Sequence, residues 1–539
     1  MYRTLLCLLI VVWSMPAGAE HLSAEVLWKL DRLSAPLISP GGEQVVVGVT
    51  SYAEEDGSAE TRLWLLGSDG QEAQPLTMAG ASASSPVFSP DGSRLAFVSS
   101  RSGDEAGQIY VLPMGGPGEA EKISDIPTGA GGLRWVGDHV YFVSNVWPEQ
   151  SFEEMATTIQ EQAESRVSAH VWNRMPYSFW DHWLNEERER HIYRIHVDSG
   201  DVDALTLDTG LQLPRGSWGG NGEYDVTPDG ETIAFVANSR TEGIYPDNDL
   251  FLLEIGSDDA ENVTPDNSAS DGAPSFSPDG ESLAYLSQSI EGFYGDTARL
   301  NVHDLDSGRT RQLHGDWDRS MSGLVWTPDS DGFFGAIDDA GTRRIYSIPL
   351  DEAPELITDE TNYDGLSIST DGTLVARNQS FLYPPRIVAI DTDSGDVQRL
   401  EDFNDAVLAD VDMGTYESVT YTGADGAEIQ MWINYPPDFN PRREYPLYLL
   451  IHGGPHGAIT DSFHFRWNAQ TFSSWGYVTA WPNFHGSSGF GQDFTDSINP
   501  DWATKPYADV IAAAEWFNEQ DWIDAERTVA GGEIGRAHV

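Results

Sequence analysis

The stretch FSPDGSRLAFVSS at residues 88–100 decides the fold, because its pattern returns as VTPDGETIAFVAN at 226–238 and FSPDGESLAYLSQ at 276–288. In each stretch, proline fixes φ at the second position of a turn, and Asp-Gly supplies the tight reversal into an apolar strand. Weaker copies of the pattern begin at Ile38, Trp135, Trp326 and Ile368. Such recurrence along a chain indicates an array of similar structural units.

A second repeat, made of a strand, a turn and another strand, alternates strictly with the first. Its seven copies begin at Arg62, Gln108, His191, Asp249, Arg299, Arg344 and Arg386. One copy of each repeat makes a four-stranded antiparallel unit of roughly 45–50 residues, the size of a propeller blade. The sequence therefore predicts a seven-bladed β-propeller over residues 20–405. A sandwich of generic hairpins is the alternative, and the fixed alternation of the two repeats disfavours it.

An insertion at about residues 150–190 interrupts one predicted blade. Its first half has the pattern of a helix, and its second half is dense in aromatic residues. Such an insertion either packs on a neighbouring domain or lines a binding site, and the sequence leaves both open. Glu153, Glu154 and Asp181 are candidates for holding a cationic group of a substrate. The alternative is that each of them lies on a solvated acidic surface.

The sequence pattern changes after residue 405. YPLYLLIHGGPHG at 445–457 and WGYVTAWPNFHGSSGFG at 475–491 each read as a buried strand that opens into a loop of small residues. PYADVIAAAEWFNEQ at 506–520 has apolar residues at helical spacing, and RTVAGG at 527–532 is a further strand. Buried strands that alternate with helices predict a mostly parallel α/β sheet over residues 406–532.

Glycines at two strand ends indicate acyl-transfer chemistry. Gly453 and Gly454 allow backbone N–H groups to turn into a pocket, where they would stabilise an oxyanion. Further along, Gly531–Gly532 and Gly535 fit the tight turn that carries a hydrolase nucleophile, but Glu533 occupies the nucleophile position. We therefore predict an incomplete α/β-hydrolase domain whose catalytic residues are not present in this chain.

These features resemble the prolyl oligopeptidase family of serine peptidases, in which a seven-bladed propeller caps an α/β hydrolase. The likeness is strongest over residues 445–502 and in WDHWLNEERERHIY at 180–193, which look like the branch of bacterial dipeptidyl and acylaminoacyl peptidases. The resemblance implies a serine nucleophile where Glu533 stands, with its Asp and His partners later in the chain. It also implies that Gly454 supplies an oxyanion-hole N–H, that short peptides are the substrates, and that no metal or organic cofactor takes part.

The last seven residues, EIGRAHV at 533–539, are predicted to be a non-native tail. They can be encoded by GAGATCGGAAGAGCACACGTC, which looks like a common sequencing-adapter sequence read in frame. The α/β pattern stops at the same junction. We therefore expect an N-terminal fragment of a longer enzyme, and the alternatives are a natural pseudoenzyme or a catalytic Glu533.

The N-terminus predicts export. Arg3 precedes an apolar run of about ten residues, and Ala17–Ala19 has the A-x-A pattern of a cleavage site, so residues 1–19 fit a signal peptide cleaved after Ala19. A buried N-terminal helix is the alternative. No later stretch is long and apolar enough to span a membrane. Cleavage would remove Cys7, the only cysteine, so the mature chain would have neither a disulfide nor a thiolate metal site.

The strongly acidic composition of the chain limits the classes of molecule that it can bind. It has 86 acidic and 30 basic residues and a formal net charge of −56, which argues against nucleic-acid binding through a basic face. The acidic surface indicates adaptation to high ionic strength, because dissolved ions screen the repulsion among its carboxylates. Attraction of cationic substrates is the alternative interpretation. The sequence leaves the oligomeric state unknown.

We expect an exported serine exopeptidase that acts on short peptides. The alternatives are an esterase on the same scaffold and a non-catalytic periplasmic propeller that binds proteins.

Overall fold

A computed structural model describes residues 20–532 apart from 71–72, 117, 168, 170, 173–176, 180–181, 184–187, 215–222, 241–246 and 360. Within these residues, six sheets built of antiparallel meanders follow one another from Arg32 to Arg399. A mixed sheet with flanking helices follows between Tyr416 and Gly532. This order agrees with the predicted succession of small β units and an α/β domain.

The strands of the first five sheets run in chain order within each sheet. Sheet 1 contains Arg32–Leu33, Leu37–Ile38, Gln44–Tyr52, Ala59–Gly67 and Gln74–Pro75. Sheet 2 contains Ala83–Phe88, Arg94–Ser99, Gln108–Pro113 and Glu121–Lys122. Sheet 3 contains Gly131–Val136, His139–Val146, Glu189–His196 and Val202–Ala204. Sheet 4 contains Tyr224–Val226, Thr232–Asn238, Asn248–Glu254 and Glu261–Asn262. Sheet 5 contains Asp271–Phe276, Ser282–Ser287, Arg299–Asp304 and Arg309–Gln312.

Sheet 6 is longer than the others and has two halves. Its strands are Val325–Trp326, Gly332–Asp339, Thr342–Pro349, Glu355–Leu356, Asn362–Ile368, Leu374–Ser380, Tyr383–Ile390 and Val397–Arg399. A single parallel bridge between Arg343 and Asn362 joins the first four strands to the last four. Two short pairs lie outside these sheets: Glu20–His21 with Val411–Asp412, and Ser178–Phe179 with His182–Trp183.

The repeated turn is held by its own side chains. The Ser89 hydroxyl donates to the Asp91 carboxylate at 2.6 Å and accepts from the Arg94 N–H at 2.9 Å. Gly92 follows with φ of 69°, a conformation that glycine adopts at little cost. Hydrogen bonds from Ser89 and Ser93 hold the pKa of Asp91 at about 2, so the carboxylate stays charged and keeps the turn closed.

The first sheet packs on the last, which closes the meanders into a ring. Arg377 Nη1 donates to the Leu33 carbonyl at 3.0 Å, and the Ile38 N–H donates to Ser367 Oγ at 3.1 Å. One buried cluster is shared by the two sheets and includes Val45, Val47, Leu66, Val375 and Ile387. Apolar burial and hydrogen bonds therefore join strands more than 300 residues apart in the chain.

The two ends of the ring meet each other. The Asn404 side chain accepts from the Asp31 N–H at 2.8 Å and donates to the Asp31 carbonyl at 3.0 Å. Before Asp31, Leu22 and Val26 lie in a buried cluster with Phe463 of the α/β domain. The N-terminal segment is thus packed on the same domain that follows the ring.

The mixed sheet has five strands in the described residues. Their spatial order is Tyr416–Thr422, Glu428–Asn434, Val478–Pro482, Tyr445–Ile451 and Ile523–Gly532, of which the last three are parallel. The α-helices within the described residues are α1 Ala24–Lys29, α2 Phe152–Glu164, α3 Asp405–Leu408, α4 Ala469–Ser474, α5 Gln492–Asp496 and α6 Thr504–Asn518. Short 3-10 turns lie at Leu207–Thr209 and Ala424–Gly426.

A buried cluster attaches α6 to the mixed sheet. Ala513 and Phe517 of α6 pack against Met431, Leu449 and Val478 of the strands. None of the helices in the described part of the chain combines the length and the apolar character needed to cross a bilayer.

Candidate active site

Two neighbouring parallel strands end at the same edge of the mixed sheet. Leu450 pairs with Gly531, and Ile451 pairs with Gly532, so His452 continues the chain at the level where Gly532 lies. A Cβ at Gly532 would overlap the Ile451 carbonyl oxygen, and a Cβ at Gly531 would lie 2.6 Å from Tyr448 Oη. Glycine is therefore required at position 532, where the obstacle is backbone, whereas a side chain at position 531 would have to displace the Tyr448 ring.

The loop after Ile451 contains the predicted oxyanion-hole residues Gly453 and Gly454. Gly454 has φ of 137°, and a Cβ there would lie 2.8 Å from the His456 backbone nitrogen. Only glycine fits this conformation and this space. The structure thus brings the predicted donors to the strand edge where Gly532 ends, and their role toward an oxyanion stays a prediction.

Two histidines bracket the glycines, and sequence reasoning gave neither of them a role. His452 stacks on Phe484 at 4.1 Å between ring centroids, and its Nε2 lies 3.0 Å from Ser487 Oγ. His456 Nδ1 lies 3.2 Å from the Gly486 carbonyl oxygen. Burial lowers the pKa of His452 to about 4 and also lowers the pKa of His456. Both rings are therefore neutral near pH 7 and fix the loop without adding charge.

A buried hydrogen bond between His485 and Asp509 anchors the second glycine-rich loop. His485 Nδ1 lies 2.7 Å from Asp509 Oδ2, and the same oxygen accepts from the His485 N–H at 2.8 Å. Asp509 Oδ1 accepts from the Ala424 N–H at 2.7 Å, so this fully buried carboxylate joins α6, the 483–491 loop and the 424–426 turn. Because Gly486 and Ser487 contact the two bracketing histidines, the pair supports the Gly453–Gly454 loop indirectly. The only sequence signal was the loop of small residues predicted at the end of the strand in 475–491.

A cavity of about 230 Å³ lies where the propeller meets this edge of the sheet. The α/β domain contributes His456, Ser488 and Gln492 to the cavity. The propeller contributes Tyr294, Asp318, Arg319 and the ion pair of Arg343 with Asp338. The walls are polar and carry both signs of charge.

The three candidate residues for a substrate amine have different outcomes. Glu154 accepts from the Ser151 N–H and hydroxyl, both at 2.8 Å, and forms a capping box at the start of α2. These hydrogen bonds lower the pKa of Glu154. Glu153 is exposed in the first turn of α2, and Asp181 lies outside the described residues. The structure thus gives Glu154 a role in the helix and leaves the amine prediction untested.

The predicted nucleophile position cannot be placed, because Glu533 and Gly535 lie outside the described residues. The same holds for the predicted signal peptide, residues 1–19, and the predicted tail, residues 533–539. What the described part shows is the strand that leads to position 533 and the glycine-rich loop beside its end.

Residues 463–533 match the profile of the Prolyl oligopeptidase family. The dipeptidyl-peptidase 5 of Porphyromonas gingivalis is 26% identical over 525 residues, which cover 95% of this chain and 75% of that protein. The chain is similar to members of the Prolyl oligopeptidase family. The dipeptidyl-peptidase 5 of Aspergillus fumigatus is also 26% identical, over 545 residues, with 95% and 75% covered.

Solved structures agree with this relationship at the level of the fold. The acylaminoacyl peptidase of Pyrococcus horikoshii superposes with a TM-score of 0.77 over 95% of this chain and 75% of that chain, at 17% identity. The resemblance to the prolyl oligopeptidase family drawn from the sequence is therefore confirmed.

Proposed function

We propose that the natural protein is an exported serine exopeptidase that releases dipeptides or N-terminally blocked residues from short peptides. One observation carries this proposal: the register that sets Gly532 beside Ile451, so that the chain leaves the strand next to the Gly453–Gly454 loop. A nucleophile at position 533 would then have backbone N–H donors close at hand. The relationship to serine peptidases supplies the reaction class.

In the proposed reaction, a serine hydroxyl attacks the scissile carbonyl while a histidine, oriented by an aspartate, removes its proton. The Gly454 N–H stabilises the oxyanion of the tetrahedral intermediate. The propeller covers the site and admits only short peptides. We also infer that the two halves of sheet 6 are separate blades, which together with sheets 1–5 make seven.

The proposal places serine at position 533 of the natural protein and treats Glu533 as foreign to it. The chain with Glu533 then has no nucleophile and turns over no peptide. Export follows from the signal peptide proposed at residues 1–19, with cleavage after Ala19.

The test begins with the genomic reading frame across codon 532. We expect a serine codon at 533, and we expect the protein made from that frame to react with a fluorophosphonate probe and to cleave dipeptidyl or N-acyl-aminoacyl anilides. The matched controls are the same protein with alanine at position 533 and the 539-residue chain with Glu533, neither of which should react. A genomic Glu533, or cleavage of simple esters without any peptide cleavage, would contradict the proposal.

A further inference from the structure

One loop of the propeller reaches the glycine-rich loop of the α/β domain. It spans residues 288–298, between two strands of sheet 5, and is called the propeller loop below. Within it, the fully buried side chain of Asp296 accepts from the N–H groups of Ser289 at 2.6 Å and Ile290 at 3.1 Å and pairs with Arg299 at 3.0 Å. Although burial opposes the charge, these contacts lower the pKa of Asp296. The loop is thus braced from inside by a charged carboxylate.

The tip of the propeller loop contacts the Gly453–Gly454 loop directly. Tyr294 Oη donates to the Gly454 carbonyl oxygen at 2.5 Å. The rings of Phe293 and Tyr294 lie edge-on to the His456 ring, with centroids 4.8 and 5.5 Å away. A Cβ at Gly295 would come within 2.9 Å of His456 Cβ, so the two chains are in close contact there.

This contact matters because two successive glycines do not fix their own backbone. Gly453 and Gly454 have no Cβ to restrict φ and ψ, so neighbouring groups must set the direction of their N–H groups. Catalytic hydrogen-bond donors act through being held in place before reaction begins. His452 and His456 restrain the loop from the α/β domain, and Tyr294 restrains it from the propeller.

We propose that Tyr294 is a positioning residue, which makes the propeller part of the apparatus that orients the Gly453–Gly454 loop. The proposal rests on the proposed function for its catalytic consequence. Its structural part is that the Tyr294 hydroxyl sets the conformation of the loop, and this part is independent of the proposed function. Docking of the propeller and readiness of the oxyanion hole are then coupled through one hydrogen bond.

The structural part can be tested on the 539-residue chain. His-Gly pairs occur in it only at 314–315, 452–453, 456–457 and 485–486. Labelling histidine with ¹³C at the carbonyl carbon and glycine with ¹⁵N therefore gives four HNCO signals, three from the site and one, from Gly315, as an internal reference. We expect Tyr294→Phe to move the Gly453 and Gly457 signals by more than a linewidth and to leave the Gly315 signal in place.

Two further variants make this result decisive. Tyr110→Phe is the matched control, because it removes a hydroxyl that donates to Asp104 within sheet 2, and it should leave all four signals unchanged. Gly295→Ala should move the same signals as Tyr294→Phe, because its methyl group presses on His456. Unchanged Gly453 and Gly457 signals in Tyr294→Phe overturn the proposal, whether or not Gly295→Ala moves them.

The catalytic part is tested on the protein from the genomic frame. A donor that acts mainly in the transition state changes kcat more than KM. We expect Tyr294→Phe to lower kcat roughly tenfold with KM within about twofold, as the loss of one restraining hydrogen bond allows. An unchanged kcat overturns the positioning role. If that protein cleaves no peptide at all, the proposed function fails, while the HNCO result still decides how the loop is held.

Discussion

At the scale of single residues, the candidate site is held by buried polar groups whose partners are far away in sequence. Asp509 accepts three hydrogen bonds from two other segments, and His452 is kept neutral by burial against Phe484. Groups of this kind are costly to disturb, because a remaining partner is left buried and unsatisfied. Two predictions follow from their energetics.

Replacing Asp509 with alanine should lower the free energy of unfolding by about 3 kcal/mol, because each buried donor left without an acceptor costs about 1–3 kcal/mol. The change leaves the N–H of Ala424, the N–H of His485 and the His485 ring without their acceptor. Chemical denaturation of the 539-residue chain measures the loss. Glu515→Ala is the matched control on the exposed face of α6 and should change stability by no more than about 0.5 kcal/mol. Equal effects of the two changes would contradict a structural role for the pair.

The buried His452 should make stability fall in mild acid. Its pKa drops from 6.5 to about 4 on folding, so only the unfolded chain takes up this proton between those values. The stability present above pH 6.5 is then lost as the pH falls toward 4. When the pH falls from about 7.5 to about 5, the free energy of unfolding of the chain with His452 should decrease by ~2 kcal/mol more than that of the His452→Gln variant.

Denaturation at the two pH values, with His21→Gln as a control at an exposed histidine, measures this difference. Identical losses in the natural sequence and in His452→Gln would show that the ring is protonated as easily in the folded chain as in the unfolded one.

At the scale of elements, helix α2 separates an acidic residue with a role in folding from a neighbouring acidic residue without one in the cap. Its capping box uses Ser151 and Glu154, and Met155 is buried in the cluster beneath it. The cap accounts for Glu154 without any ligand. Glu153, one residue earlier, takes no part in the capping box.

The amine hypothesis can therefore be separated from helix capping. In the protein from the genomic frame, changing the residue that holds the substrate amine should lower kcat/KM for free dipeptidyl substrates at least about tenfold more than for N-acylated ones, since an ammonium group loses its counter-charge. Glu153→Gln, Glu154→Gln and Asp181→Asn are the variants to compare. Ser151→Ala weakens the same cap as Glu154→Gln while keeping the charge, and it should not change the substrate ratio. If no variant changes the ratio, the insertion has a structural role only.

At the scale of the whole molecule, the net charge of −56 dominates the electrostatics. Exposed ion pairs such as Arg311–Asp351 offset little of it, because such pairs contribute at most about 1 kcal/mol each. Long-range repulsion among carboxylates therefore acts on the entire folded chain, and salt should relieve it.

We expect the 539-residue chain to melt at a higher temperature in about 1–2 M sodium chloride than in dilute buffer, since screening reduces this repulsion. Scanning calorimetry or dye-based melting measures the shift. Chloride is the fair salt for the comparison, because sulfate also strengthens apolar burial. A melting temperature that stays constant or falls in chloride would contradict adaptation to high ionic strength.

The sequence predicted the parts of the molecule that have local signatures. The turn at Ser89–Gly92 repeats a short motif, and the loop at Gly453–Gly454 follows an apolar strand, so both could be read along the chain. The pairing of His485 with Asp509 and the contact of Tyr294 with Gly454 join residues 24 and 160 positions apart. Such contacts depend on how whole elements pack, and an isolated His, Asp or Tyr in a sequence has no pattern that identifies its partner.

Because the two ends of the ring meet at Asp31 and Asn404, the propeller could be deleted or replaced as one unit. Because one side chain already bridges the entry and exit points, a short linker could replace residues 32–403 without stretching the chain that remains. The N-terminal segment would remain packed on the α/β domain through the contacts of Leu22 and Val26 with Phe463. The same property would allow one ring to be exchanged for another with different blades, provided that the new ring also offers a hydroxyl donor to the Gly454 carbonyl.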